Sequence, residues 1–570
     1  MKHKFEGLLV GGTVSMMVVT ALQLSDTFIA GVFLGKEAAE GINLVTPMYS
    51  LAAFFGGLFS IGVPIMYNSE MGKFNKRGAD KAFGLGLTMT MAIGVVMFVL
   101  LMMFGDSYLR FYESSDTVFG LARSYFFWYK FTILLLPLTT LMSEMVFADG
   151  NETLSTASGI TQFIGNIVIS LLLCPRFGLA GIGFGSFAGT ALSLAVSFSH
   201  FLRKSSSLRV NVYVSLKMTL SVIKYSIVDS GTYLFIAILT AVINRFVTAA
   251  YGEDMLILVS VVMLTRELQL LFDGIGAAMT PIVAVYIGEN SFGGIKKMWA
   301  LAKKTAVIEG IAMTVLAVLF APFIPRVLGV TDAVTAGYVA GGMRMVALGF
   351  TFTSLLYLVS SYYLLVDKIP IAFVMCALRD VVIAAPLAVI MGSRFGIYGM
   401  FAAFAIAPEA AYIISMLYVY RKYGRENYPL LIKEKEDNVL SFFYEVDIKP
   451  KSIIELQTEI AGELEKNGAD KQIIGRVKLL VEELYMLIYE KNGQKLVRGE
   501  CTIIINENNG ISLITKDDGV LLDLAAEDVS AGTIGEYLIS NYMRKLPGKK
   551  NLITMSYNRN VFEIRAGGSG

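Results

Sequence analysis

The chain has 570 residues, 55% of them hydrophobic and 16% charged, with a mean hydropathy of +0.62. That length exceeds one domain and that composition points to a membrane protein. The net charge of +2 hides a split: residues 1–425 hold 30 Lys+Arg and 23 Asp+Glu, whereas residues 426–570 hold 18 and 23, so a basic part precedes an acidic one. Neither part has the clustered basic face of a nucleic-acid binder. Three cysteines, Cys174, Cys376 and Cys501, have neither metal spacing nor a disulfide framework.

Apolar runs separated by charged or Gly/Pro-rich breaks predict twelve spans, near 8–34, 42–70, 80–105, 117–147, 153–174, 178–202, 217–250, 255–287, 295–320, 333–365, 370–392 and 396–420. The first run leads straight into further spans, so it does not read as a cleaved signal peptide. Connections on the N-terminal side hold 19 Lys+Arg against six on the other, which places both termini in the cytoplasm and the protein in the plasma (inner) membrane.

Breaks in the first half recur about 217 residues later. Gly35 matches Gly252, Pro64 matches Pro281, Gly72 matches Gly288, Asp149 matches Asp367, and Phe177-Gly178 matches Phe395-Gly396. Two six-span halves of the same sense make a parallel repeat, an N-lobe over 1–210 and a C-lobe over 211–425, with a cleft between them and alternating access by rocking. The expected architecture is an all-α polytopic membrane protein followed by a small cytoplasmic α/β domain.

Asp26 lies well inside the first apolar run. A carboxylate in hydrocarbon is costly unless it faces a polar interior, so it is a functional-site candidate. Gln23, Asn166 and Asn244 add uncharged polar groups that line a cavity or join helices. Among the other ionisable residues within spans, Glu267 and Arg266 are candidates for the cleft. Arg266-Glu267 and Arg379-Asp380 are sequence neighbours, which on a regular helix point about 100° apart, so each is expected to find a different partner.

After Arg425 the text turns charged. Residues 426–447 read as a linker, residues 448–565 as a soluble α/β unit with helices near 453–465, 472–489 and 532–546, and Ala566 to Gly570 as an artificial tail left out of fold reasoning.

The pattern Asp26-Thr27-x-x-x-Gly31-x-x-x-Gly35 followed by Pro47 resembles the first two helices of the multidrug and toxic compound extrusion (MATE) transporters. Gly62-x-Pro64 through Gly72, the Phe147 to Asn151 turn, Asn166 and Phe177-Gly178-Leu179-x-Gly181 are similar to the same family. The resemblance covers residues 5–425. It implies export of amphipathic, often cationic compounds in exchange for H+ or Na+, with Asp26 carrying the coupling cation. The seventh span offers only Asp229, near its cytoplasmic end, which favours the N-lobe for that site. Two other functions remain open. One is a flippase of the same superfamily for a lipid-linked saccharide, with Lys130, Arg245, Arg266, Arg344 and Arg379 facing a diphosphate. The other is a membrane-anchored regulator.

The tail resembles the anti-sigma-factor branch of the GHKL ATPase/kinase fold. Leu480-Val481-Glu482-Glu483 is similar to the helix carrying the catalytic Glu, Asp517-Asp518-Gly519 to the adenine-binding box, and Gly532-Thr533-Ile534-Gly535 to the later glycine motif, where a helix N-terminus favours phosphate. The resemblance makes Glu483, Asp517, Gly519, Gly532 and Gly535 candidate nucleotide-binding residues. Leu487 stands where the family has its Mg2+-binding Asn, and an aliphatic side chain supplies no oxygen ligand. Weak ATP binding without kinase turnover, or a cytoplasmic anti-anti-sigma-like protein partner, is the expectation. No catalytic residue, metal site or required cofactor is expected.

Overall fold

The computed structural model describes residues 2–564 except 112–115, 204–205, 253–254, 256–258, 260–261, 264, 267, 324–332, 433–439, 494, 506–509, 523–536, 538, 540–550 and 554–556. Leu, Val, Phe and Met fill the apolar runs, and a backbone in hydrocarbon must satisfy its own hydrogen bonds, so these runs become helices. Within the described residues, helix occupies all twelve expected segments. By length and composition, seven helices there are able to cross a membrane, or eight with one pair bent by 42° counted as a span.

The N-lobe comprises α1 (Lys2–Leu34), α2 (Lys36–Ser60), α3 (Gly62–Gly72), α4 (Lys76–Phe111), α5 (Asp116–Ala148), α6 (Glu152–Phe177) and α7 (Leu179–Phe198). The C-lobe comprises α8 (Leu216–Tyr251), α9 (Asp273–Glu289), α10 (Phe292–Phe320), α11 (Ala333–Ala347), α12 (Phe350–Leu365), α13 (Ile369–Ala377) and α14 (Ala384–Asn427). Some expected spans are pairs of short helices: α2 breaks into α3 at Ile61, and α11 into α12 at Leu348-Gly349. The helix α14 joins two spans across a kink at Gly396.

The repeat is visible in the backbone. Residues with positive φ fall in related places: Gly35 and Gly252 (92° and 87°), Phe74 and Asn290 (59° and 57°), Gly150 and Asp367 (89° and 58°), Gly178 and Gly396 (56° and 71°). The lobes meet along α1 against α9, α2 against α8, and α3 against α9. At the last contact a Cβ on Gly288 would lie 3.0 Å from the Ser69 carbonyl and 3.1 Å from Gly72 Cα, so two backbones touch there.

The tail forms an antiparallel sheet of β1 (Leu440–Ile448), β2 (Val497–Ile505), β3 (Ile511–Asp517), β4 (Asn551–Ile553) and β5 (Asn558–Ile564), in the order β1-β2-β3-β5-β4. β1 begins inside the stretch read as linker. Its period-two pattern is broken by Phe443, which follows Phe442 and points to the other face, so the stretch does not read as a strand. Helices α15 (Pro450–Lys466) and α16 (Lys471–Lys491) bury their apolar stripes on one sheet face, against Val446, Ile448, Cys501, Ile503, Leu513 and Phe562. The helix expected over 532–546 lies largely outside the described residues.

Candidate functional site: a caged carboxylate in the N-lobe

Asp26 sits eight residues from the far end of α1, about 12 Å along the axis at 1.5 Å per residue. It is 5% exposed, and three helices donate to it. Tyr125 Oη of α5 donates to Oδ2 at 2.7 Å, Asn166 Nδ2 of α6 donates to Oδ1 at 3.1 Å, and Ser186 Oγ of α7 donates to Oδ2. Asn166 Nδ2 also reaches Ser186 Oγ at 2.8 Å, and Ser25 Oγ donates to Asn166 Oδ1 at 3.4 Å. Buried carboxylates persist where hydrogen bonds replace lost water, and this one has them.

The packing that builds the cage starts from small residues. A Cβ on Gly185 would meet Ser170 Oγ, and one on Gly189 would lie 2.6 Å from the Gln162 carbonyl. Helix α7 therefore lies backbone to backbone on α6, which brings Ser186 beside Asn166. The carboxylate opens onto a cavity of about 70 Å³ lined also by Tyr49, Tyr129, Thr132, Gln162 and Thr190. A buried water needs roughly 10–15 Å³ on this measure, so the space suits an ion and a few waters. Drug-sized ligands occupy several hundred Å³. The cavity lies inside the N-lobe, among α1, α2, α5, α6 and α7, and not in a cleft between lobes as the repeat led one to expect.

The repeat supplies a counterpart in the C-lobe with opposite chemistry. Tyr49, Leu136 and Gln162 correspond, 217 residues on, to Arg266, Thr353 and Arg379. These three line a small C-lobe cavity with Gln269 and Ala384. Asp26 itself corresponds to Ile243, which is buried in an apolar cluster. Arg266 thus lines this C-lobe cavity, where its Nη2 binds Asp380 Oδ1 at 3.1 Å.

Arg379 and Asp380 pair directly, contrary to the expectation from regular helix geometry. Arg379 Nη2 meets Asp380 Oδ2 at 2.7 Å and its Nε meets Oδ1 at 3.1 Å. The pair lies in a single π-turn over Leu378–Val382 between α13 and α14, a departure from regular α-helix, and the long Arg379 side chain folds back onto its neighbour. The Arg379 guanidinium lies 3.8 Å over the Tyr357 ring.

Among the other residues singled out from the sequence, the side chains of Gln23 and Asn244, and Glu267, Gly532 and Gly535 entirely, lie outside the described residues. Glu483 is half-buried on α16, and Leu487 is buried in the tail core. Asp517 closes β3 and is 2% exposed. Its Oδ1 accepts from Asn558 Nδ2 at 2.8 Å and Gly519 N at 3.1 Å, while Oδ2 meets no partner among the described residues. Burial pushes the Asp517 carboxyl up to about 6, against the lowering effect of those two hydrogen bonds.

Sequence reading missed Tyr125, Ser186 and Asn558. Ser186 carried a signal, since it stands in a run with Gly183, Gly185 and Gly189 that demands close helix packing. No group of three or more His, Cys, Asp or Glu able to hold a metal occurs among the described residues.

A two-lobed polytopic membrane bundle with repeat-related intralobe cavities is a transporter fold. Residues 13–172 match the MatE family model, and the membrane part has the fold of the MATE transporters. The chain superposes on a MATE crystallised in complex with MaL6, with a TM-score of 0.69 at 17% identity over 74% of this chain and 95% of that one. A multidrug resistance MATE family transporter of the MOP superfamily in its outward-facing conformation matches with a TM-score of 0.68, 17% identity and the same coverage. A MOP superfamily transporter from Pyrococcus furiosus, described as having a binding pocket of reverse polarity that suggests a different function, matches with a TM-score of 0.68, also at 17% identity with 74% and 95% covered. No curated protein matches the chain in sequence.

Proposed function

We propose that this chain is a secondary active efflux transporter that exports amphipathic compounds, cationic ones included, in exchange for H+ or Na+. The observation that carries this reading is Asp26, the buried acid of an ion-sized cavity, held by donors from three helices. A proton on Asp26, or a sodium ion among Asp26 and the neighbouring neutral oxygens, would neutralise the carboxylate. Tyr125, Asn166 and Ser186 would then lose their charged acceptor, and the seat of α1 against α5, α6 and α7 would change. Substrate would pass between the lobes as they rock, because the Asp26 cavity is too small for it. The side rich in Lys and Arg is taken as cytoplasmic, with the chain in the plasma membrane.

The test is transport of a dye panel in vesicles under separate H+ and Na+ gradients. Wild-type protein is expected to extrude dye under one of them, and Asp26→Asn to lose coupled efflux while remaining folded. Gradient-driven efflux by Asp26→Asn at the wild-type rate would defeat the reading.

The flippase reading has less support. Arg245 and Arg344 are exposed, and Arg266 and Arg379 share Asp380 inside the C-lobe. Lys130 rests 5.3 Å from the Phe126 ring. Labelled lipids in the same vesicle panel test it. The regulator reading draws on the tail, where buried Asp517 Oδ2 has no partner among the described residues; equilibrium binding of ATP with Mg2+ to the full chain tests that part.

A further inference from the structure

The C-terminal sheet covers one face with its own helices and turns the other toward the membrane part. That second face carries Phe443, Glu500, Thr502, Lys516 and Arg559. Most of its contacts anchor it to the C-lobe. Tyr286 Oη donates to Glu500 Oε2 at 2.8 Å, Ser291 Oγ meets Thr502 Oγ1 at 3.1 Å, and the Phe443 and Tyr286 rings stand 5.5 Å apart. The connecting segment is held too, with Tyr362 and Tyr363 donating to the carbonyls of Leu430 and Pro429 at 2.9 and 3.0 Å.

Arg559 does something different. Its Nε lies 2.7 Å from Glu289 Oε1, at the last residue of α9 in the C-lobe. Its Nη1 and Nη2 donate to the carbonyls of Met71 and Gly72 at 3.1 and 2.6 Å, at the end of α3 in the N-lobe. Those carbonyls lie in the last turn of α3, where Met71 O also accepts from Phe74 N at 3.0 Å, and a helix C-terminus favours a cation. The guanidinium also lies 3.7 Å over the Phe74 ring, which itself packs on Ile504, Ile514 and Val561 of the sheet. Lys516 Nζ completes the cluster on Glu289 Oε2 at 2.7 Å. Arg559 is 1% exposed and Glu289 5%. One buried side chain therefore joins the two lobes where α3 and α9 touch through Gly72 and Gly288.

We propose that the C-terminal domain is a clasp: anchored on the C-lobe, it grips the N-lobe through Arg559 and Phe74 and holds the two lobes together on the basic side. Rocking that parts α3 from α9 must pull Arg559 from one of them. A domain that binds both lobes in one state and a single lobe in the other shifts the equilibrium by that difference. Only the direction rests on the transporter reading: with the basic side cytoplasmic, the clasp favours the outward-facing state.

The test is a spin-label distance across the lobes, from Arg77→Cys on α4 to Ala300→Cys on α10, in the full chain in lipid nanodiscs. Both positions are exposed and the three native cysteines are buried. Arg559→Ala is expected to add a longer-distance population absent from the parent. Phe74→Ala, which lies outside the tail and leaves its fold intact, is expected to shift the distribution the same way. Unchanged distributions in both variants overturn the clasp. A shift with Arg559→Ala alone also overturns it, because tail unfolding would then be the cause. The distance is read without substrate or ion gradient, so absence of efflux would count against the transporter reading and leave this result standing.

Discussion

Asp26 and Asp517 are both buried acids with donors around them, and their settings differ in one respect that can be measured. Asp517 lies in the soluble tail, where burial raises its carboxyl to about 6. Folding therefore favours its protonated form. The stabilisation from that proton is complete below the unfolded value near 4 and is lost as pH rises through about 6. A rise from about 4 to about 6 corresponds to on the order of 3 kcal/mol. The thermal midpoint of the tail transition is expected to rise between pH 7 and pH 5, and Asp517→Asn, which keeps an acceptor for Asn558 and Gly519, is expected to flatten that rise. An unaltered slope in the variant would refute the assignment. Asp26 and Asn166 were legible in the sequence because a charge and an amide stand out in apolar text. Tyr125 was not, since an aromatic in a span reads as packing until the facing helix is known. Glu289 was not either, because it closes its helix at a point where acids are common at the water interface.

At the level of single elements, the π-turn between α13 and α14 is the place where a regular rule gave the wrong partners. It carries a buried cluster in which Asp380 serves two arginines. Removing the shared acid would leave two buried cations facing each other, and breaking a buried pair in this way costs about 3–5 kcal/mol. Asp380→Ala is expected to lower the melting temperature of the detergent-solubilised protein markedly. Arg266→Met, which leaves the Arg379–Asp380 pair intact, is expected to lower it less; equal losses would argue against a shared acid. Helix positions were readable because hydropathy is summed over long runs, and the breaks were readable because glycine and proline mark them. The π-turn has no such mark: Leu378 to Val382 contains neither residue, and its register depends on what the surrounding helices leave room for.

For the whole molecule, the repeat read from five breaks reappears as paired positive-φ positions and as two cavities in corresponding places. The cavities diverge in chemistry, an acid in one lobe and arginines in the other. The docking of the tail was not legible. Lys516 and Arg559 are charges on short strands whose sequence does not show what covers them; their burial comes from the ends of α3 and α9.

The approach of α3 to α9 has a thermodynamic corollary. Gly72 and Gly288 are repeat-related, and each supplies the other with the missing side chain that lets the backbones touch. A methyl group at either position has room within its own lobe only once the lobes have moved apart. Gly288→Ala therefore acts on the balance between two states rather than on the stability of either lobe. It is expected to lengthen the Arg77–Ala300 label distance while leaving the melting temperature of the membrane part nearly unchanged, whereas a fall in melting temperature without a change in distance would place the glycine in the fold and not in the motion.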